Sequence, residues 1–152
     1  MQNQLSPSEL EKKFDEQMDD HEGCIPYAYQ DSKGYWTIAR GRCIDKRINK
    51  RALSVDEMEY LWDNDKKACR LLLSTYPWYM NQDQVRKDVL VELCFNLGLD
   101  GLLGFRNMIK AVFVKDYKTA AAELLDSKWA REDVQPKRVS DVHDRLLNGV
   151  YR

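Results

Sequence analysis

Two helix-start signals, at Ser6 and at Ser54, fence off the β-prone stretch of this chain, and that layout limits what it can fold into. Ser6-Pro7-Ser8-Glu9 joins an N-cap serine, a first-turn proline and a capping-box glutamate. Ser54-Val55-Asp56-Glu57 repeats the box. After the first start, Leu10, Phe14 and Met18 recur every four residues, which predicts a helix with one apolar stripe. The next step along that stripe lands on Glu22, just before Gly23, a helix terminator. Between the two helices, Tyr27-Ala28-Tyr29-Gln30 and Tyr35-Trp36-Thr37-Ile38 are rich in aromatic and β-branched types. Asp31-Ser32-Lys33-Gly34 separates them, with Gly34 able to take a positive φ, so the segment reads as a β-hairpin with a four-residue loop. Gly41 ends the second strand, and Cys43-Ile44 is a candidate third.

From Ser54 onward the pattern is helical. Val55, Met58, Leu61, Trp62, Cys69 and Leu72 sustain one face up to about residue 75, a helix about 30 Å long at ~1.5 Å per residue. Pro77 should break it. Helices follow over 81–97, near Leu102, and over 106–114, 116–129 and 136–147, punctuated by Gly98, Gly101, Gly104 and Gly149. The expected fold class is α+β, a mainly helical two-lobed domain spanning 1–152. A small α+β lobe covers about 20–55, a connecting helix about 54–75, and a helical lobe about 77–152. A cleft between lobes is the default place for a ligand. With 43% apolar and 11% aromatic residues in 152, a buried core is affordable in area and disorder is excluded as the dominant state.

The formal charge is −1, from 24 basic and 25 acidic residues, which argues against a general nucleic-acid binder. That average hides two opposed segments. Residues 1–22 carry seven acids against Lys12 and Lys13. In 38–51, Arg40, Arg42, Lys46, Arg47, Lys50 and Arg51 stand against Asp45 alone. Such a basic run is either a solvated loop or an attraction for acidic groups on a partner. Cys24, Cys43, Cys69 and Cys94 form no Cys-x-x-Cys pair, and His21 and His143 are the only histidines, so no metal and no cofactor is expected. Small buried thiols in a reduced compartment are the simpler reading. No apolar run approaches the ~20 residues of a membrane span, and the N-terminus lacks a secretory h-region. Synthesis in a cytoplasm without membrane insertion is therefore expected.

Glu22 is the odd residue of its helix. It continues an apolar stripe, which predicts partial desolvation, and it sits at a helix C-terminus, where the macrodipole disfavours an anion. Both effects favour the protonated carboxyl expected of a general acid. Asp31 opens the hairpin loop and Thr37 lies on the returning strand. Taken singly, each has an ordinary structural explanation as a surface carboxylate, a turn former or a β-former. Together they set two carboxyls of different environment and a hydroxyl around one hairpin, and paired carboxyls do the work of glycoside hydrolysis.

The segment His21-Glu22-Gly23, Asp31-Ser32-Lys33-Gly34-Tyr35-Trp36-Thr37-Ile38 and Gly41 resembles the active-site segment of the phage-type lysozymes, the T-even phage lysozyme family. The similarity continues through Ser54-Val55-Asp56-Glu57, Glu92-Leu93-Cys94-Phe95-Asn96-Leu97-Gly98, Gly104-Phe105 and the helix from Asp116-Tyr117 to Trp129, weakening after about Asp133. The resemblance implies a lysozyme, an endo-acting muramidase that cleaves the β-1,4 bond between N-acetylmuramic acid and N-acetylglucosamine in peptidoglycan with inversion. Glu22 would protonate the leaving oxygen, Asp31 would act as general base and Thr37 would hold the attacking water. It places the N-terminal helix, 6–22, against the helical lobe. It also implies an endolysin role: the chain is made in the host cytoplasm and acts on peptidoglycan glycan strands in the periplasm after release, as a monomer by default. A non-catalytic wall-binding or structural phage component with the same fold is the competing class, and the intact Glu22, Asp31 and Thr37 set favours the enzyme.

The remaining site expectations follow from the same likeness. Asn96 matches a cleft-facing amide and is taken as a substrate contact. Tyr29, Tyr35 and Trp36 are open to two readings, hairpin core or sugar stacking, and Tyr29 is assigned to substrate. The chain departs from its relatives at Ala39-Arg40-Gly41-Arg42, where Gly usually comes first and His often comes last. In relatives that His pairs with an acid on the long helix, at the position of Asp65. An Arg42–Asp65 ion pair is therefore expected, with Asp65 partly buried beside Leu61 and Trp62.

Overall fold

The computed structural model describes residues 6–151, which fall into two compact units, Met1–Glu59 and Tyr60–Arg152. In the first unit, helix α1 (Pro7–Glu22) starts where the capping box puts it. The Ser6 N–H donates to Glu9 Oε2 at 2.7 Å, and the Glu9 N–H donates to Ser6 Oγ. Gly23 closes the helix, its N–H donating to the Asp19 carbonyl. The apolar stripe stays largely exposed, with Leu10 at 55% and Phe14 at 59%, and no residue of α1 is buried. This helix belongs with the sheet in the first unit.

Strands β1 (Ile25–Gln30), β2 (Trp36–Ala39) and β3 (Arg42–Cys43) form an antiparallel sheet in the order β1-β2-β3. Tyr29 pairs with Thr37 and Gln30 with Trp36, while Thr37 also faces Cys43 across β2–β3. The predicted hairpin therefore forms, with a bulge in β1 before Tyr29. Among the described residues, the buried side chains of this unit are both polar, Thr37 and Asp45. Asp45 accepts from the Trp36 N–H at 3.1 Å, from the Arg47 N–H at 3.0 Å and from the Arg47 guanidinium at 2.8 and 2.5 Å. The Arg47 guanidinium, followed by the backbone donors, holds the Asp45 carboxyl well below the usual carboxylate range.

Helix α2 (Val55–Leu73) opens with the second capping box, the Ser54 N–H donating to Glu57 Oε2 at 2.8 Å. It crosses the boundary between the units. Beyond it, Pro77 does end the helical run, but it also supplies the first turn of a short helix α3 (Pro77–Met80). Helices α4 (Gln84–Leu103), α5 (Arg106–Phe113), α6 (Tyr117–Leu125) and α7 (Pro136–Asn148) follow. Asp83 caps α4 and Asp116 caps α6, each through its own carboxylate. Helix α4 kinks at Gly98, and the helix predicted over 116–129 stops at Leu125, giving way to a π-helical turn at Trp129–Asp133.

The apolar core sits in this second unit. Leu73, Leu90, Leu93, Leu102, Leu124 and Leu146 are fully excluded from solvent, and Met108 and Trp129 nearly so. At roughly 1.5–3 kcal/mol for each large apolar side chain buried, these residues supply the main drive for folding. The mainly helical α+β architecture is thus the one expected. No helix among the described residues is long and apolar enough to cross a membrane.

Candidate active site

The hairpin sorts its side chains by strand alternation. Residues paired across β1 and β2 point to the same face, and each next pair points to the other. Tyr29 and Thr37 therefore share one face, and Gln30 and Trp36 share the opposite one. Asp31 extends the ladder, its N–H donating to the Tyr35 carbonyl at 2.9 Å, so Asp31 lies on the face of Tyr29 and Thr37. The sequence spacing of Asp31 and Thr37 places both on one side of the sheet for this reason.

Asp31 does two things with its two oxygens. Oδ1 accepts from the Lys33 N–H and the Tyr35 N–H, both at 2.9 Å, which builds the turn. Gly34 completes that turn at a φ of 81°. Oδ2 accepts no hydrogen bond from any described residue. Thr37 is buried at 4% exposure, and its hydroxyl donates to the Tyr35 carbonyl at 3.0 Å. With its proton so committed, Thr37 Oγ1 offers acceptor lone pairs only. A half-buried carboxylate with a free oxygen and an acceptor hydroxyl on one face suit the two protons of a water molecule. Tyr29, directly opposite Thr37, is half-buried.

Glu22 is the last residue of α1, and its carboxyl lies over Gly41 in the β2–β3 turn. A Cβ placed on Gly41 would come within 2.9 Å of Glu22 Oε2. Gly41 also has a φ of 77°, so the position needs glycine both for its backbone and for the space above it. The turn is tied to the helix by Arg40, whose guanidinium binds both oxygens of Asp19. That bond lowers the Asp19 pKa. Glu22 itself is exposed, contrary to the partial desolvation its place on the stripe implied. Leu10 and Phe14 are exposed and Met18 is only half-buried, so continuing the stripe does not bury a carboxyl.

Arg42 finds partners within its own unit. Arg42 Nη1 donates to Glu57 Oε2 at 2.5 Å and to the Ala52 carbonyl at 3.2 Å. Glu57 is already oriented by its capping box, so it meets Arg42 with little further loss of side-chain freedom. Its carboxyl is held below the ordinary value by the Ser54 N–H first and by Arg42 second. Asp65, in the second unit, is exposed.

In the second unit, Asn96 is exposed near the kink of α4, and its Oδ1 accepts from Trp129 Nε1 at 2.7 Å. The bond fixes the amide plane and leaves the Asn96 NH₂ to donate outward. Trp129, itself 2% exposed, was not singled out from the sequence as a partner. Its distance of 33 residues from Asn96 gives no local signal. A cavity of about 570 Å³ adjoins it, with Leu97, Phe105, Glu123, Ser127 and Trp129 in its wall. Asp45 was likewise missed, although Asp followed two residues later by a turn N–H is a recognisable turn signal. Among the described residues no group of His, Cys, Asp and Glu could hold a metal ion.

The phage lysozyme family model matches residues 19–145, which include the capped helix end, the whole hairpin and Asn96. The chain belongs to the phage lysozyme family. It is similar to two proteins of Dictyostelium discoideum. The probable T4-type lysozyme 1 is 26% identical over 127 residues, covering 66% of this chain and 75% of that protein. The probable T4-type lysozyme 2 is 28% identical over 152 residues, covering 82% and 87% respectively. Membership makes the chain a lysozyme-type muramidase with peptidoglycan as its substrate.

Proposed function

We propose that this lysozyme cleaves the β-1,4 bond between N-acetylmuramic acid and N-acetylglucosamine with inversion, using Glu22, Asp31 and Thr37. Glu22 Oε2–H donates its proton to the glycosidic oxygen as the C1–O bond breaks. Asp31 Oδ2 takes a proton from a water that attacks C1 from the opposite side of the ring, and Thr37 Oγ1 accepts that water's other hydrogen. The products are an inverted hemiacetal and a free hydroxyl. The observation that carries this reading is the free Oδ2 of Asp31 on the same face of the sheet as a Thr37 hydroxyl whose own proton is occupied. Glu22 at the negative end of α1 supports the acid role, and only a glycan bound over it would desolvate it. Asn96, with its amide plane set by Trp129, and Tyr29, opposite Thr37, serve as substrate contacts. We assign the enzyme to host-cell lysis, made in the cytoplasm and acting in the periplasm after release.

The test is turbidity clearing of outer-membrane-stripped Gram-negative cells, with the anomer of the new reducing end read by NMR. Wild type clears and gives the inverted product, while Glu22→Gln does not clear. Equal clearing by Glu22→Gln, or a retained anomer, rejects the mechanism.

A further inference from the structure

The face of the sheet opposite Asp31 and Thr37 carries an exposed tryptophan that the reaction does not use. Trp36 is 48% exposed, although indole is among the side chains with most to gain from burial. It borders a concavity of about 530 Å³ lined by Gln30, Trp36, Ile44, Asp45, Lys46 and Arg47. The platform is rigid. The Trp36 N–H donates to Asp45 Oδ2 at 3.1 Å, and its carbonyl accepts from the Ile44 N–H at 2.8 Å. Its main chain is therefore clamped to the 44–47 segment that forms the rest of the wall.

The charge of the concavity is positive. Arg47 and Asp45 neutralise each other through two guanidinium bonds, and Arg47 also donates to the Gly34 carbonyl. Lys46 makes no ion pair with any described residue, nor do Lys50 and Arg51 further along the segment. The basic run seen in the sequence is thus partly internal, with Arg40, Arg42 and Arg47 paired, while Lys46 lines this concavity without an ion pair to any described residue.

We propose that Trp36, Gln30 and Lys46 form a second glycan-binding platform, on the back of the sheet, that holds the enzyme on peptidoglycan away from the bond being cut. The apolar C–H face of an N-acetylated sugar stacks on the indole. The Gln30 amide meets hydroxyl or acetamido groups, and Lys46 meets a carboxylate of the wall. A planar aromatic, an amide and a free ammonium fit a polymer that is both a glycan and an acid, which is what peptidoglycan is. The inference rests on the muramidase reading for the identity of the polymer.

The test uses full-length protein with Glu22→Gln, so that the wall is not digested. Binding to purified insoluble sacculi is measured with and without Trp36→Ala, Trp36→Phe and Lys46→Ala. We expect Trp36→Ala to raise Kd roughly fivefold to tenfold and Trp36→Phe to recover most of the loss. Lys46→Ala should flatten the salt dependence of binding. Circular dichroism and melting temperature confirm that each variant is folded. A Kd unchanged by Trp36→Ala in a folded variant overturns the platform. Clearing by the wild type is read separately. If it fails while sacculus binding still depends on Trp36, the muramidase reading falls and the platform stands.

Discussion

The carboxyl of Glu22 lies directly over Gly41, close enough that a single added methyl would come within 2.9 Å of Oε2. The proposed general acid thus sits against a residue that contributes no side chain. Gly41→Ala introduces the methyl and strains a backbone held at φ 77°. The far end of a glutamate can swing, so the protein should fold while the acid is displaced. A misplacement of that size costs up to about 100-fold in rate, and we expect kcat to fall about 10- to 100-fold. Steady-state hydrolysis of a soluble glycan strand, with the melting temperature as control, checks it. A kcat within twofold of wild type would show that the close approach has no bearing on the acid.

Asp31 builds the turn with one oxygen and leaves the other free, so its two roles can be separated by substitution. Asp31→Asn retains an Oδ1 acceptor for the Lys33 and Tyr35 N–H groups but removes the proposed base. Its stability should stay within about 0.5 kcal/mol of wild type, while activity falls about 10²- to 10⁴-fold. Asp31→Ala should lose the same activity and, in addition, about 1 kcal/mol for the two turn bonds. Denaturant melts paired with clearing rates separate these outcomes. An active Asp31→Asn would remove Asp31 from proton transfer and leave it a turn residue only.

These contrasts show what the sequence makes visible. Both capping boxes, the hairpin and the Asp31–Thr37 face are local: each follows from residues within a few positions, whose backbone preferences agree with the final fold. The order Ser54 to Glu57 also sets a partner of Arg42, a carboxylate already oriented by its cap. The Trp129–Asn96 bond joins residues 33 apart that packing alone brings together. Periodicity could place Leu10 and Phe14 on one face of α1 but could not say that the face would be covered, and it is not.

Asp45 makes the first unit acid-sensitive in a defined direction. Its folded pKa lies well below the unfolded value, chiefly through the Arg47 guanidinium. The folded state therefore binds fewer protons than the unfolded chain as pH falls. The stability from Asp45 is complete above the unfolded carboxylate pKa of about 4 and is lost as pH drops through the lower folded value. Asp45→Asn should lower the melting temperature at pH 7 and make it fall less steeply between pH 5 and 2 than in the wild type. Thermal melts followed by hairpin tryptophan fluorescence at several pH values give both slopes. Parallel slopes would mean that Asp45 does not govern acid unfolding of the sheet.

Ala39 stands where relatives usually carry glycine, and the structure shows the cost of that departure. Its φ of 56° lies in the left-handed region, which a side chain disfavours by about 1–2 kcal/mol. Ala39→Gly relieves that strain but gives the unfolded chain more freedom, worth about 0.5–1 kcal/mol. The net expectation is a gain of roughly 0.5–1 kcal/mol, or about 1–4 °C in melting temperature for a chain of this size. Lys115, at φ 61° in the second unit, provides the internal comparison, and Lys115→Gly should stabilise for the same reason. Calorimetric melts of the two single variants and the double one should give gains that add, since the sites share no partners. A destabilised Ala39→Gly would mean that the alanine methyl makes contacts worth more than the backbone strain it imposes.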